Sequence, residues 1–399
     1  MVAGADRSAG VDRREFIVGA GALATAALGA ARARAQEPKL RLGIIGCGGR
    51  GGWIGGLFEE HSNTEVAALH DYFEDRVADL GGRFGVPEDR RFTGLDGYKE
   101  LLETDVDAVA IESPPYFHPE QAAAAVGAGK HVFLAKPVAV DVPGCSSILE
   151  SSRAAEASGL SFLVDFQTRN NAAFREMASR VHQGAIGPPV LGQVYYHTGR
   201  LTPRAEPGTP EARLRNWVFD IALSGDIIVE QNIHVIDVAS WLLDSDPIEA
   251  TGTGGRRVRT DVGDCWDHFA VTYQFPGEAI IDFSSSQFVT GFGDLCVRLF
   301  GAEGTAESHY GGSVWIDNGQ RWDGGDTGPI FTEGAVNNIR DFHAGIEAGQ
   351  LINTGAPAVR SNLISILGRE AAYRGRTVTW DEMMAAAEEM ECDLSGLRR

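Results

Sequence analysis

The chain has 399 residues, of which 43% are hydrophobic and 23% charged, a balance that excludes a disordered or fibrous protein. Its length exceeds that of one ordinary domain of about 100–200 residues. The formal net charge of −20 argues against binding to nucleic acid, because phosphate neutralisation requires clustered Lys and Arg. Five scattered cysteines form no CxxC pair, so neither a zinc site nor a disulfide framework is expected.

The first 35 residues have the features of an export signal. Arg13 and Arg14 precede a small-residue apolar run, Val18–Ala30, and Ala33–Ala35 then offers a cleavage site. The run is shorter than the roughly 20 apolar residues that span a bilayer, so no stable membrane insertion is expected. The twin arginine resembles a Tat signal, which predicts a mature periplasmic protein. The alternative is an N-terminal tail with a chance Arg-Arg pair.

A glycine-rich turn follows the first strand of the mature chain. The apolar run Leu40–Ile45 predicts a strand, and the turn after it has the pattern G-x-G-x-x-G. Glycines at these positions permit a tight turn and a close approach of backbone N–H groups to a pyrophosphate at the start of the next helix. The candidate cofactor-binding residues here are Gly46, Gly48, Gly49, Arg50 and Gly51.

Asp71 ends the second predicted strand, some 25 residues after Gly46. An acidic side chain at this place is expected to bind the adenosine ribose hydroxyls, and its charge favours NAD over NADP. Strands and helices then alternate as far as Phe166, among them a strand over His131–Ala135 and a helix over 141–157. This alternation predicts a mainly parallel sheet with helices on both faces. Residues 36–166 are therefore predicted to be an NAD-binding Rossmann domain.

Two further loops lie at the carboxyl edge of this predicted sheet, where open α/β sheets bind ligands. The first contains Ser113, Pro114 and His118, which we assign to cofactor binding. The second places Lys136 and Pro137 directly after an apolar strand. From position alone, Lys136 is either a functional cation beside a substrate hydroxyl or a lysine that extends from a strand end to water.

Taken together, these motifs resemble the glucose–fructose oxidoreductase / inositol dehydrogenase / MocA-like family. The resemblance includes Gly129–Val132 before Lys136, continues through residues 225–237 and covers nearly all of the mature chain. It implies that Lys136 contacts both cofactor and substrate. In such proteins glutamate usually precedes the Lys-Pro motif, whereas Ala135 stands here, which removes one expected polar contact near the nicotinamide.

The same resemblance implies an α+β C-terminal domain with an open, mainly antiparallel sheet, predicted over residues 167–334. Residues 226–237 are similar to the family's active-site helix. Glu230, His234 and Asp237 have spacings that can share one helical face. The resemblance makes His234 the general acid/base, Lys136 its electrostatic partner and Glu230 the third catalytic residue. Residues around this centre are predicted to bind substrate: Arg169, His197, Trp217, Gln231, Asn232 and Asp237.

Residues 318–327 are predicted to be a polar, glycine-rich loop. The remaining residues, 335–399, are predicted to form helices that pack back on the Rossmann domain, the last of them over 379–392. No metal is expected, since no second histidine or thiol stands at ligand spacing near His234. The family resemblance also implies a homo-dimer or homo-tetramer.

The leading functional hypothesis is a nicotinamide-dependent oxidoreductase acting on a sugar, polyol or glycoside. Because the periplasm is not expected to supply free NAD, we expect a tightly held cofactor that is recycled within one catalytic cycle. The alternative is an NAD-dependent glycoside hydrolase that works by transient oxidation and elimination. A third hypothesis is a non-catalytic NAD-binding or sugar-sensing protein. The presence of Lys136 and His234 argues against it.

Overall fold

The computed structural model describes residues 38–399. The export signal predicted over residues 1–35 lies outside this part of the chain and stays a prediction. Among the described helices, none has the length and apolar character needed to cross a membrane.

The N-terminal half is built on a parallel sheet of six strands in the order β3-β2-β1-β4-β5-β6. The strand order reverses between β1 and β4, and ligands bind outside the carboxyl ends of the strands at such a switch point. The strands are β1 Leu40–Ile45, β2 Thr64–Asp71, β3 Arg91–Thr93, β4 Ala108–Ile111, β5 His131–Ala135 and β6 Phe162–Asp165.

Helices connect these strands and cover the sheet. The central strand β4 is buried along its whole length, as expected for a parallel strand with helices on both faces. The helices are α1 Gly49–His61, α2 Glu74–Phe84, α3 Gly97–Glu103, α4 His118–Gly127 and α5 Val142–Ala157. Short 3-10 turns lie at Glu88–Arg90 and Pro115–Phe117.

The second half contains a nine-stranded sheet in the order β14-β13-β12-β11-β7-β10-β9-β8-β15. Its neighbours are antiparallel except for the parallel pair β7 and β10. The strands are β7 Pro189–Thr198, β8 Glu249–Gly255, β9 His268–Gln274, β10 Ile280–Gln287, β11 Asp294–Gly301, β12 Thr305–His309, β13 Ser313–Asp317, β14 Arg321–Asp326 and β15 Val378–Thr379.

One face of this sheet packs against helices. In β9, for example, Phe269, Val271 and Tyr273 are buried while the alternate residues are exposed. The helices of this half are α6 Ala172–His182, α7 Pro210–Arg215, α8 Ile221–Ser224, α9 Ile227–Glu230, α10 Ile233–Leu243, α11 Ile330–Ala348, α12 Gly355–Arg374 and α13 Trp380–Ala386. The 3-10 turns are Gln167–Asn170, Trp217–Phe219 and Pro276–Glu278.

The two halves share one hydrophobic core. Helix α12 contacts α5 of the first half as well as α10 and β8 of the second, and helix α11 lies against α1. The largest buried cluster accordingly contains residues of both sheets, such as Val109 and Val271. The packing fixes the carboxyl edge of the first sheet beside helices α9 and α10.

The predicted fold class is confirmed: a Rossmann-type parallel sheet precedes a domain with an open, mainly antiparallel sheet. Three details of the prediction are wrong. The glycine-rich segment 318–327 contains the edge strand β14 rather than only a loop, because Trp322 packs on the core while its neighbours stay exposed. The helix predicted over 226–237 is broken between α9 and α10. The last predicted helix, 379–392, ends at Ala386.

Candidate active site

The glycine-rich turn brings the start of α1 against the ends of β1 and β4. Gly46 has a φ of 101°, and a Cβ there would lie 2.6 Å from the Glu112 carbonyl carbon. A Cβ on Gly51 would lie 1.9 Å from the Gly46 carbonyl oxygen. Because neither position tolerates a side chain, these two glycines keep the helix and the strands at this close separation.

Gly48 and Gly49, in contrast, face open space. A Cβ on Gly48 would meet only an Arg76 nitrogen, at 3.9 Å, and one on Gly49 would meet nothing within 4 Å. Gly48 precedes α1, and no side chain caps the helix there. Both glycines line a cleft of about 880 Å³, so free N–H groups at the start of α1 fit the pyrophosphate of a dinucleotide.

Asp71 lies in the same cleft at the end of β2. Its carboxylate accepts hydrogen bonds from the backbone N–H groups of Cys47, at 2.8 Å, and Phe73, at 2.9 Å. Arg76 approaches to 3.6 Å. These contacts hold the carboxylate beside the glycine turn, at the place where an adenosine ribose is expected.

Lys136 and Glu230 meet at the inner end of the cleft. The Lys136 Nζ donates hydrogen bonds to the Glu230 backbone oxygen, at 2.6 Å, and to its Oε1, at 3.2 Å. Both side chains are nearly buried, with exposed fractions of 10% and 12%. Glu230 and Gln231 line the cleft, and Lys136 lies directly behind Glu230. The pair therefore links the carboxyl end of β5 to helix α9.

His234 lies in the first turn of α10, close to this pair. Burial and the positive charges of Lys136 and Arg50 hold the pKa of His234 well below its usual value. The imidazole is therefore neutral at ordinary pH and able to accept a proton. Its Nδ1 is buried without a hydrogen-bond partner in the described chain, and its ring lies 5.4 Å from that of Tyr310.

Arg50 crosses from the glycine turn toward this centre. Its Nε lies 2.9 Å from Glu112 Oε2, and its Nη2 contacts Asp165. Both carboxylate side chains are fully buried. Sequence reasoning did not select Glu112, Asp165 or Tyr310 as site residues. For the two acids the available signal was an acidic residue at the carboxyl end of a buried strand, whereas Tyr310 reaches the site from the second sheet.

The loop residues assigned to cofactor binding have different environments. Ser113 and Pro114 line the cleft. The His118 ring is buried, and its two nitrogens lie 2.8 Å from the backbone oxygens of Pro137 and Ser113. Burial lowers the pKa of His118 to about 4. His118 thus joins the two loops from behind, and we correct its assignment from cofactor contact to loop support.

Three residues predicted to bind substrate lie near the cleft. Trp217 and Gln231 line it. Asn232 precedes α10, and its buried Oδ1 has no hydrogen-bond partner within residues 38–399. These side chains can contact a polar molecule bound beside Glu230.

Three other residues predicted to bind substrate are not available for it. Asp237 is fully buried, and its carboxylate is bound by Arg169, at 2.8 Å, and by the Ser361 hydroxyl, at 2.8 Å. The break before α10 separates Glu230 from both His234 and Asp237, so our prediction that the three share one helical face is wrong. His197 bonds to Ser286 and lines a shallow depression elsewhere, because successive residues of β7 point to opposite faces.

A group with metal-ligand chemistry lies on the second sheet, away from His234. Asp294, Cys296 and His309 have ligand atoms within 4.8 Å of one another. However, both His309 nitrogens already contact carboxylates, those of Asp294 at 2.8 Å and Glu307 at 3.0 Å. Burial opposes protonation of His309, but these hydrogen bonds outweigh it and raise the pKa. The contacts are those of a protonated histidine between two acids.

Comparison with known proteins places the chain in a family. Residues 40–165 match the oxidoreductase family with an NAD-binding Rossmann fold, and residues 174–307 match the GFO/IDH/MocA C-terminal domain. The chain is 30% identical over 271 residues to inositol 2-dehydrogenase 3 of Saccharopolyspora erythraea, covering 67% of this chain and 72% of the relative.

Solved structures share the fold. Aldose-aldose oxidoreductase from Caulobacter crescentus, complexed with glycerol, matches with a TM-score of 0.69 and 21% identity, covering 86% of this chain and 100% of the other. Levoglucosan dehydrogenase in complex with NADH and levoglucosan matches with a TM-score of 0.69 and 18% identity, covering 86% and 99%. With both domains matched in order, the chain belongs to the GFO/IDH/MocA family of oxidoreductases with an NAD-binding Rossmann domain.

Proposed function

We propose that this protein is an NAD-dependent oxidoreductase that acts on a secondary alcohol of a sugar, polyol or glycoside. The observation that carries the proposal is the Lys136–Glu230 pair, with His234 close enough to feel the Lys136 charge, beside a cleft that Glu230 lines together with Gly48, Gly49 and Asp71. Inositol 2-dehydrogenase and levoglucosan dehydrogenase, among the proteins similar to this chain, are named for polyhydroxylated compounds.

Each residue of the centre has a chemical role in this proposal. A nicotinamide supplies the hydride acceptor when it is bound. The neutral His234 removes the proton of the substrate hydroxyl, and Lys136 stabilises the negative charge that develops on that oxygen. Glu230 keeps Lys136 in place. Trp217, together with Gln231 and Asn232, lies where it can hold the substrate.

NAD is the proposed cofactor, in preference to NADP. The Asp71 carboxylate is held beside the glycine turn by two backbone N–H groups, where its charge repels an additional phosphate. Arg76 lies only 3.6 Å away and partly offsets this repulsion. The proposal therefore rests on the fixed position of the carboxylate.

We further propose that the cofactor is tightly held and recycled, as suits a periplasmic, Tat-exported protein. The segment 201–219, termed the strap, supports this proposal because its two ends line the cleft. Arg215 of the strap binds Asp75 at 2.7 Å and lies 3.9 Å from the Phe73 ring centre. The strap thus joins the second half of the chain to the loop after β2, beside the adenosine position.

The catalytic centre is tested by turnover on a panel of sugars, polyols and glycosides. We expect His234→Ala and Lys136→Met to lower turnover by about 100-fold or more, the usual effect of removing an acid–base group, with NAD binding preserved in His234→Ala. Arg360→Ala, which removes an exposed ion pair with Asp244, is the matched control. Unchanged turnover in both site variants would refute the assignment. Release of an aglycone without net NADH would indicate the glycoside hydrolase instead.

Cofactor retention and export are tested on the full-length chain. Cells producing it are fractionated, the protein is purified from the periplasmic fraction, and the nucleotide released on denaturation is identified by mass spectrometry. We expect NAD in near-stoichiometric amount, and we expect Arg13→Lys with Arg14→Lys to keep the protein in the cytoplasm. Protein without nucleotide would contradict the closed cycle, and NADP would contradict the role of Asp71.

A further inference from the structure

Glu112 is a buried acid that lines the proposed cofactor cleft with one carboxylate oxygen unpartnered. Its side chain is fully buried, and Oε2 forms an ion pair with Arg50 Nε at 2.9 Å. Oε1 has no hydrogen-bond partner within the described residues. Buried polar groups of this kind usually have partners, so a ligand group is the expected one.

The position of Glu112 relative to Lys136 follows from strand register. Strands β4 and β5 are parallel, and Ile111 pairs with Leu134. The next residues along the two strands are Glu112 and Ala135, so the carboxyl group stands on β4 beside the alanine that precedes Lys136. The Lys136 charge acts on Glu112 across this gap. The end of β5 thus has Ala135 in place of an acid, while the neighbouring strand β4 is followed by the acid Glu112.

We propose that Glu112 is a cofactor-positioning residue, whose carboxyl group binds the amide-bearing nicotinamide end of NAD and takes the place of the acid absent at position 135. This inference rests on the proposed function of the same cleft. A carboxylate attracts the positively charged ring of NAD and accepts hydrogen bonds from its amide. The outer part of the cofactor is bound separately, by the glycine turn and Asp71.

The charge of Glu112 is set by its neighbours. Burial raises its pKa to about 7, while the positive charges of Arg50 and Lys136 lower it and Asp165 raises it further. Arg50 belongs to α1, Lys136 to the loop after β5, and Asp165 to β6. These elements surround the carboxyl group. The carboxylate form therefore becomes dominant as the pH rises through about 7, and the affinity for NAD rises with it.

The test compares NAD with ADP-ribose, which lacks the nicotinamide ring, by calorimetry on protein freed of bound nucleotide with charcoal. We expect Glu112→Ala and the isosteric Glu112→Gln to weaken NAD binding about tenfold and to leave ADP-ribose binding unchanged. The ratio of the two affinities should increase between pH 6 and pH 8 in the natural protein and stay constant in Glu112→Gln.

A transposed variant, Glu112→Ala with Ala135→Glu, should recover most of the lost NAD affinity. Equal loss of NAD and ADP-ribose binding would show that Glu112 only supports the glycine turn, and unchanged NAD binding would show that it does not meet the ring; either result overturns the inference. Failure of the natural protein to bind ADP-ribose or NAD would instead refute the proposed function, so the two failures are distinguishable.

Discussion

At the scale of single residues, positively and negatively charged side chains lie close together at the inner end of the cleft, where they have little contact with water. Lys136 and Arg50 are opposed by Glu230, Glu112 and Asp165. Removing one member of a buried ion pair leaves its partner uncompensated, which commonly costs about 3–5 kcal/mol. The centre is therefore sensitive to substitutions that change charge, and burial together with the two cations lowers the pKa of His234 and keeps it neutral.

Glu230 illustrates how this arrangement of charges contributes to the proposed catalysis. It offers Lys136 both a backbone oxygen and a carboxylate oxygen, so the ammonium group is held before a substrate arrives. A cation fixed in advance needs little reorganisation when negative charge develops on a substrate oxygen. This preorganisation depends on β5 and α9, which belong to different halves of the chain.

At the scale of elements, the strap packs against both halves of the chain beside the proposed adenosine end of the cleft. Leu214 packs with Phe73 and Leu223, and the C-terminal residues Cys392 and Leu397 contact the same cluster. Arg213 also donates a hydrogen bond to the backbone oxygen of Asp393, at 2.7 Å. If the strap retains the dinucleotide as proposed, it has to leave these contacts before the dinucleotide dissociates.

Arg215→Ala should therefore speed the dissociation of NAD. The exposed ion pair with Asp75 and the contact with the Phe73 ring are together worth about 1.5 kcal/mol, which corresponds to roughly tenfold in rate. The measurement is stopped-flow displacement of bound NADH followed by fluorescence, with Arg360→Ala as a control of similar exposure. An unchanged dissociation rate in Arg215→Ala would show that the strap does not retain the cofactor.

Elements with strong local patterns were predicted well from the sequence. The strand His131–Ala135 was predicted with its observed bounds, and helix α5 begins after Asp141, whose side chain caps it. The edge strand β14 was missed because glycines obscure its alternation. At the break before α10, the Asn232 N–H donates a hydrogen bond to the Ile227 carbonyl, five residues back, instead of four as in a regular α-helix. The break was missed because the apolar pattern of this segment does not indicate such a hydrogen bond.

Contacts between distant elements limited the prediction of the site. Lys136 and Glu230 were predicted from motifs, and the structure brings them together. Asp237 was given a substrate role because its spacing fitted a regular helix, but Arg169 neutralises its charge and the Ser361 hydroxyl donates a hydrogen bond to it. Long-range partners of this kind depend on the packing of one half of the chain on the other, which spacing along the sequence does not specify.

At the scale of the whole molecule, three apolar side chains lie together on the face of the nine-stranded sheet opposite the helices. Leu191 and Ile280 are in register on adjacent strands, and they are 40% and 42% exposed. Phe300 pairs with Leu191 from the other side. Residues paired across strands point to the same face, so these three form one apolar group. We propose that two copies of the chain associate through this face, in line with the homo-dimer or homo-tetramer that the family resemblance implies.

Ile280→Lys should weaken that association by about tenfold or more, because a two-fold interface buries each substituted residue twice and an unpaired charge is costly to bury. Sedimentation velocity over a range of concentrations measures the dimer–monomer equilibrium. Leu351→Lys is the matched control, since Leu351 is 39% exposed but follows α11, outside the sheet. A natural protein that sediments as a monomer, or an equal effect of the two variants, would refute the interface. Because the cleft is built within one chain, monomeric Ile280→Lys should still bind NAD.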